Sequence, residues 1–408
     1  MILGIDASNI RAGGGLTHLV ELLRAADPLN VGFHKVIVWS CAPTLARIED
    51  RPWLEKKHRP ILNRSLIHRA LWQRMSLSRE ARAAGCDLLF VPGGSFAGDF
   101  RPMATFHQNL LPFDVPEIRR FGLSLVTFKL LLLRLTQSQT FRRADGVMFL
   151  TEHARDVVIK DLGPLIGVQE IIPHGVDQRF HLAPRPQLPI SSYSLERPFR
   201  LLYVSQVDLY KHQWHVAEAA VQLRKEGLPV TLDLVGRSYP PALEKLRSVL
   251  DRIDPCGDVV RYSGPAHYEE LHRRYMEADL AVFASSCETF GQILTEAMSA
   301  GVPIACSNRA AMPELLGEGG LYFEPEDPSD IAGAIRRLIE SPDLRARTAA
   351  IAFARAQKFT WKRCADETMQ FMSAVVARAG QRKALAECAT DGPAHSASTP
   401  TTSGSEAV

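Results

Sequence analysis

Short apolar strands alternate with longer helical stretches along most of this chain, and that alternation constrains the fold more than any other feature. In the first half, strands are expected at residues 2–6, 35–39, 88–91, 104–107, 146–150 and 170–172. A Pro/Ser-rich connector occupies about 183–197, and a second set of strands follows at 200–205, 231–235, 259–263, 280–284, 303–306 and 321–323. Strands separated by helices pair in parallel and need cover on both faces, so the pattern predicts an α/β chain with two doubly wound parallel sheets. Helices are expected at 329–339 and 342–357, then an amphipathic segment from Phe359-Thr360-Trp361 to about Ala379. Beyond Gly380 the apolar periodicity ends, and small polar residues predict a disordered tail. The expected divisions are therefore a first domain 1–180, a connector 181–198, a second domain 199–358, a terminal helix 359–379 and a tail 380–408.

The composition, 46% hydrophobic and 23% charged over 408 residues, supports two separate cores. Seven scattered cysteines, without a Cys-x-x-Cys pair, predict free thiols in a reducing compartment. The opening Met1-Ile2-Leu3-Gly4-Ile5-Asp6 reads as a buried strand rather than a leader, so a cytoplasmic protein is expected. The most apolar stretch, 121–135, is too short to span a bilayer and carries Lys129 and Arg134. Residues 1–180 hold 23 Lys/Arg against 17 Asp/Glu. Much of that excess lies in 51–82, where nine basic residues meet only Glu55 and Glu80, with Trp53 and Trp72 among them. Such a run is either the solvated face of a helix or a peripheral contact with anionic headgroups or a phosphate-bearing acceptor; Lys56, Lys57 and Arg59 are the expected contacts. No nucleic-acid-binding motif is present, so nucleic acid is not an expected partner.

The chemistry concentrates in 285–304. An apolar strand runs into a loop carrying Glu288, a helix opens near Phe290–Gly291 and ends at Gly301, and another strand follows. The spacing from Glu288 to Glu296 means nothing alone, since Glu269 and Glu277 are spaced identically. Its setting is what counts: a helix N-terminus just past a strand's carboxyl end is where open α/β sheets bind ligands. Free amides at Phe290, Gly291 and Gln292 would face an anion, and Gly291 lets a phosphate come close. Glu296 in the helix could accept both hydroxyls of a ribose, and Glu288 could hold a sugar hydroxyl. Phosphate, ribose and sugar together describe a nucleotide-sugar site.

From Glu288 to Glu296 and its flanks, the chain resembles the E-x7-E signature of the retaining glycosyltransferases of family 4, and the likeness extends from the Gly-rich loop near residue 13 to the helices before 380. The resemblance implies the GT-B fold, two facing doubly wound domains with an interdomain cleft. The first domain would bind the acceptor, the second the nucleotide sugar, and the last helix would pack back on the first domain. Gly14 and Gly15, in Gly13-Gly14-Gly15, match the loop that faces the cleft; the dinucleotide fingerprint is not met, because His18 stands where its last glycine should fall. Lys211 matches a lysine that neutralises the diphosphate leaving group. Here Ser205-Gln206 and Lys211-His212 replace the family's Gly-Arg and Lys-Gly pairs, leaving Arg237, after Gly236, as a substitute cation. His107 resembles the cleft histidine that approaches the donor sugar. His174 and Asp177 would shape the turn closing the first domain, and Glu314 would favour a helix N-terminus.

The implied reaction moves a hexose from a nucleotide-diphosphate sugar to a glycan or lipid-linked acceptor, in cell-surface polysaccharide synthesis. Retention without an obvious nucleophile fits front-face attack, in which the leaving diphosphate helps deprotonate the acceptor. There is no Asp-x-Asp motif, and a helix N-terminus with Lys211 can do a metal's work, so neither metal nor cofactor is expected. Two other readings fit the same residues: a nucleotide-sugar epimerase of this architecture, and a non-catalytic sugar-nucleotide-binding protein.

Overall fold

Strand order decides where this chain can bind anything. The computed structural model describes residues 1–390. In the first domain, β1 (Ile2–Asp6), β2 (Lys35–Ser40), β3 (Leu54–His58), β4 (Leu88–Val91), β5 (Met103–Phe106), β6 (Gly146–Phe149) and β7 (Val168–Ile171) form a 7-stranded sheet, ordered β3-β2-β1-β4-β5-β6-β7. The second domain carries β8 (Phe199–Val204), β9 (Val230–Val235), β10 (Val260–Gly264), β11 (Leu280–Phe283), β12 (Ile304–Ser307) and β13 (Leu321–Phe323). These make a 6-stranded sheet ordered β10-β9-β8-β11-β12-β13. Every pairing within the two sheets is parallel. The order reverses between β1 and β4 and again between β8 and β11. Loops leaving the carboxyl ends diverge at such points and open a crevice.

The first sheet has one strand more than its sequence pattern predicts. β3 reads Leu-Glu-Lys-Lys-His, which hides the strand signal, and it lies at the sheet edge, where charged side chains deter further pairing. The basic stretch 51–82 is thus not one helical face. It holds β3, the helix Leu66–Trp72, a π-helical turn Gln73–Leu77 and the helix Ser78–Ala83. Five of its nine cations have a carboxylate partner: Arg51 with Glu49 at 2.9 Å, Lys56 with Asp50 at 2.7 Å, Lys57 with Glu55 at 3.4 Å, Arg59 with Glu80 at 2.9 Å and Arg82 with Asp99 at 3.1 Å.

One apolar cluster fills the space between the first sheet and the helix Gly13–Ala25, through Leu3, Ile5, Leu19 and Leu22, and continues into the second domain through Leu201 and Leu294. A second covers the opposite face of the first sheet, with Trp39, Leu77, Leu89 and Phe141. The last helix, Trp361–Thr390, returns to the first domain and buries Met369, Phe371, Met372 and Val375. It passes its expected end at Ala379. Gln381, Arg382, Lys383, Ala384 and Leu385 are good helix formers, and they extend a helix that packing has already nucleated. The remainder of the expected tail, 391–408, lies outside the described residues.

The connector is strapped down by Arg345, which is fully buried in the helix Pro342–Ala356. Its guanidinium donates to the carbonyls of Leu338 and Ile339, each at 2.6 Å, and to Gln187 Oε1 at 3.0 Å. Removing such a group orphans several buried acceptors at once. Arg345→Met should therefore lower the unfolding free energy by about 3 kcal/mol. Chemical denaturation would measure this, and an unchanged midpoint would show that the strap contributes nothing.

Candidate active site

The loops after β8 and β11 are tied to each other. The Ser286 amide donates to the Tyr210 carbonyl at 2.9 Å, and His212 Nε2 lies 2.9 Å from Ser286 Oγ. His212 has φ +53°, a left-handed backbone that accounts for the glycine expected in the family pattern. Its buried ring, held against Ser286, offsets that conformational cost. The Tyr203 hydroxyl donates to the Lys211 carbonyl at 2.7 Å and fixes the same turn. Lys211 is 8% exposed, and its Nζ pairs with Glu288 Oε1. The ammonium also stands 5.0 Å from the Tyr210 ring and 5.5 Å from the Phe283 ring. A largely desolvated lysine with one carboxylate partner is well placed to exchange that partner for a phosphate.

The helix Gln292–Ser299 starts at Gly291, whose φ is +85°. A Cβ there would come within 2.8 Å of the Met312 methyl, so the position suits glycine on both counts. No side chain caps this helix, and the amides of Phe290, Gly291 and Gln292 donate to no group among the described residues. Three free donors at a helix N-terminus favour an anion. The flanking side chains anchor the turn: the Phe290 ring packs edge-on against His174 at 5.4 Å and Phe359 at 5.5 Å, and Gln292 Nε2 donates to the Gly175 carbonyl at 3.0 Å. Glu296, one helical turn further in, is buried and accepts from the Tyr268 hydroxyl at 3.2 Å. Burial pushes its carboxyl up to about 8.

Gly236 follows β9, where a Cβ would fall 2.0 Å from the Ser205 carbonyl oxygen; its role is to let two strand-end loops pass. Arg237 is exposed, its carbonyl accepts from the Val207 amide at 2.7 Å, and its side chain has no partner among the described residues. Gln206 donates to Asp208 at 3.1 Å, so it supplies no second cation. Arg237 is the cation that stands free on the neighbouring strand end.

Across the cleft, the helix Gly13–Ala25 begins without a side-chain cap. Nothing lies within 4 Å of a Cβ on Gly14, and the nearest atom to one on Gly15 is Gln108 Oε1 at 3.5 Å. The Gln108 carbonyl accepts from Thr289 Oγ1 at 3.3 Å, and Thr151 Oγ1 donates to the Thr289 carbonyl at 2.8 Å. The Gly-rich helix start, Gln108 and the Glu288 loop therefore meet at one place. Gln108, Thr289 and Tyr268 were not anticipated from sequence. Of these, only Thr289 lies inside a motif.

One expectation is corrected. His107 does not face the cleft: it is fully buried, edge-on to Phe113, Phe141 and Phe149, and burial lowers its pKa to about 4. The strand ends one residue earlier than expected, at Phe106, and it is Gln108 that reaches the Gly-rich loop. Glu314 lies in the first turn of its own helix and also reaches a second one. Its two oxygens accept from the amides of Glu152 and His153, at 2.9 and 3.0 Å, and so cap a helix of the other domain. Arg120 and Glu326 add an ion pair at 2.6 Å between the domains. Asp177 accepts from the Arg179 amide at 2.9 Å and shapes the closing turn.

The raised Glu296 carboxyl has a measurable consequence. Between the ordinary value of 4.5 and about 8, the unfolded chain releases this proton before the folded one. Its contribution to ligand-free stability is therefore full at low pH and lost as pH rises through that window. Glu296→Gln keeps the shape and abolishes the titration, so its melting temperature should rise relative to the parent between pH 5 and pH 8. Parallel melting curves for the two proteins would contradict a protonated Glu296.

Comparison with known proteins agrees with this geometry. Residues 187–355 match the family Glycosyl transferases group 1. O-antigen chain mannosyltransferase B of Escherichia coli is 36% identical over 110 residues, 27% of this chain and 29% of the relative. The glycogen synthase of Mycobacterium tuberculosis (strain H37Rv) is 27% identical over 251 residues, 60% of this chain and 58% of the relative. The chain thus spans less than two thirds of the length of these curated relatives. Among solved structures, Anabaena HepE in complex with UDP superposes with a TM-score of 0.65 at 18% identity, covering 91% of this chain and 99% of the other. WaaG, a glycosyltransferase involved in lipopolysaccharide biosynthesis, does so with a TM-score of 0.64 at 14% identity, covering 91% and 99%. The two sheets are thus those of the GT-B fold, and residues 187–355 are a group 1 glycosyl transferase domain.

Proposed function

We propose that this protein moves a hexosyl unit from a nucleotide-diphosphate sugar to a glycan or lipid-linked acceptor, with retention of configuration, in cell-surface polysaccharide synthesis. One observation carries the reading. Unbonded amides at 290–292, the Lys211–Glu288 pair and the buried Glu296 converge at the carboxyl ends of β8 and β11. Glu296 would take the ribose hydroxyls, giving up its proton as it does so. The amides and Lys211 would hold the diphosphate and stabilise its charge as the glycosidic bond breaks. As Lys211 turns to the phosphates, Glu288 is released to hold the sugar. The acceptor would enter beside Gly14, Gly15 and Gln108, with its hydroxyl proton passing to the leaving diphosphate on the same face. Lys211 and the helix N-terminus suffice to neutralise the leaving group, so the scheme uses neither metal nor cofactor. The scheme places the protein in the cytoplasm, where nucleotide sugars are made, and at the membrane face when the acceptor is a lipid. UDP, present in the HepE complex, is the first nucleotide to test.

A thermal-shift panel of UDP-, GDP- and dTDP-sugars should identify a stabilising donor. Incubating that donor alone should leave its sugar unchanged, whereas isomerisation would favour an epimerase. Donor binding without transfer to any glycan or lipid acceptor would favour a binding protein.

Three substitutions separate the roles. Glu296→Ala should weaken donor and free nucleotide alike by roughly 1.5–3 kcal/mol. Glu288→Ala should spare nucleotide affinity and depress turnover. Lys211→Ala should weaken the nucleoside diphosphate more than the monophosphate in calorimetry. Equal losses for both nucleotides would remove Lys211 from the distal phosphate.

A further inference from the structure

The helix Leu125–Arg143 is turned inside out over its length. Towards the first sheet it buries Gln137, Ser138 and Thr140 together with Leu130 and Phe141. Outwards it presents Leu125 (89% exposed), Phe128 (68%) and Leu132, spaced along one face. A second helical segment does the same: between residues 66 and 77, Ile67 (71% exposed), Leu71 and Met75 (72%) point to solvent. Both segments lie over the same face of the first sheet, since Trp72, Leu77 and Phe141 share one apolar cluster. The loop after β4 joins them, with Gln73 Nε2 donating to the Ser95 carbonyl at 3.1 Å and Ser95 Oγ lying 3.1 Å from Thr136 Oγ1. Separate exposed leucines need no explanation, but two neighbouring apolar faces do.

Charge identifies what covers them. Residues 59–79 and 118–144 contain no Asp or Glu. Arg64, Arg74 and Lys129 are exposed within them, and their side chains have no partner among the described residues. This differs from Lys56, Lys57 and Arg59, whose charges are paired. Glu80 and Asp161, the acids that reach these segments from beside them, are held by Arg59 and Arg134, so apolar side chains flanked by the unpaired Arg64, Arg74 and Lys129 complement an anionic lipid surface. The surface also adjoins the acceptor side of the cleft: Arg69 Nη1 donates to Asn9 Oδ1 at 2.9 Å, on the loop that leads to the Gly-rich helix start.

We propose that the outer face formed by 66–77 and 123–135 docks on an anionic bilayer and opens the Gly-rich loop to an acceptor held there. The acceptor clause rests on the glycosyl-transfer reading; the docking does not. Insertion of the apolar side chains supplies depth, and the unpaired cations supply selectivity for anionic headgroups and sensitivity to salt.

Co-sedimentation of the full chain with phosphatidylcholine vesicles, with and without phosphatidylglycerol, tests the proposal. Binding should require the anionic lipid and fall at high salt. Arg74→Gln and Lys129→Gln should each lower vesicle affinity about fivefold, in line with the contribution of a cation near such a surface. Leu125→Ser combined with Phe128→Ser should lower it by at least about tenfold. Lys56→Gln with Lys57→Gln should leave it unchanged. Retained melting temperature and UDP shift in each variant would show that folding and the donor site are intact. Equal binding to neutral vesicles, no binding, or unaltered binding by the Leu125/Phe128 variant would overturn the docking face. So would a lipid-free dimer, seen by sedimentation velocity, that the same variant dissociates, because a second copy would then cover the face. Failure of the unsubstituted protein to bind anionic vesicles, with a UDP shift present, counts against docking alone; vesicle binding without any donor response counts against the transferase reading alone.

Discussion

Parallel strands buried on both faces leave a chain few places for polar chemistry, and this structure follows from that constraint. Helices cover each face of both sheets, so every side chain along β4 and β11 is buried. Polar groups are pushed into the loops at the carboxyl ends, and those loops separate where the strand order reverses. Lys211, Glu288 and the turn at Gly291 all lie on the two loops that leave β8 and β11. The Gly-rich helix start occupies the equivalent place after β1. The cleft is thus the junction of two switch points, brought face to face by Gln108, Thr151 and Thr289.

Within that cleft the two glutamates differ because their surroundings differ. Glu288 is half-buried and pairs with Lys211. Glu296 is fully buried in the second domain's core, and that burial outweighs its hydrogen bonds with Tyr268 and Gln292, raising its carboxyl to about 8. Burial separates the two carboxylates that the motif sets eight residues apart.

The sequence disclosed the strands whose apolar runs are continuous, because burial on both faces demands such runs. It concealed β3, an edge strand rich in lysine, for the complementary reason. The motif from Glu288 to Glu296 was legible because its residues are local, spanning one loop and one helix. Tyr268, Gln108 and the partners of Glu314 were not legible, since each acts through contacts between segments far apart in the chain. His107 illustrates the limit. One residue of strand register decides whether a side chain enters the cleft or the core, and here it enters the core among three phenylalanine rings. The departure at His212 has the opposite character: the backbone keeps the left-handed turn of the family pattern, and a buried contact to Ser286 takes over from the missing glycine.

The contacts between the domains fall into two kinds with different mechanical meaning. Around the connection that closes the first domain they are apolar and aromatic: His174 packs on His18 at 4.8 Å, on Phe290 at 5.4 Å and on Trp361 at 5.8 Å. Across the cleft most are hydrogen bonds and ion pairs, at Thr151–Thr289, Glu314 and Arg120–Glu326, beside one ring contact of Phe121 with Tyr239 at 5.8 Å. Polar contacts of this type exchange with water at small net cost, whereas opening the aromatic set would expose a continuous core. Thr289 stands between Glu288, which pairs with Lys211, and Phe290, which packs on His174 and Phe359, so one short loop joins the polar contacts of the cleft to the aromatic contacts at the domain connection.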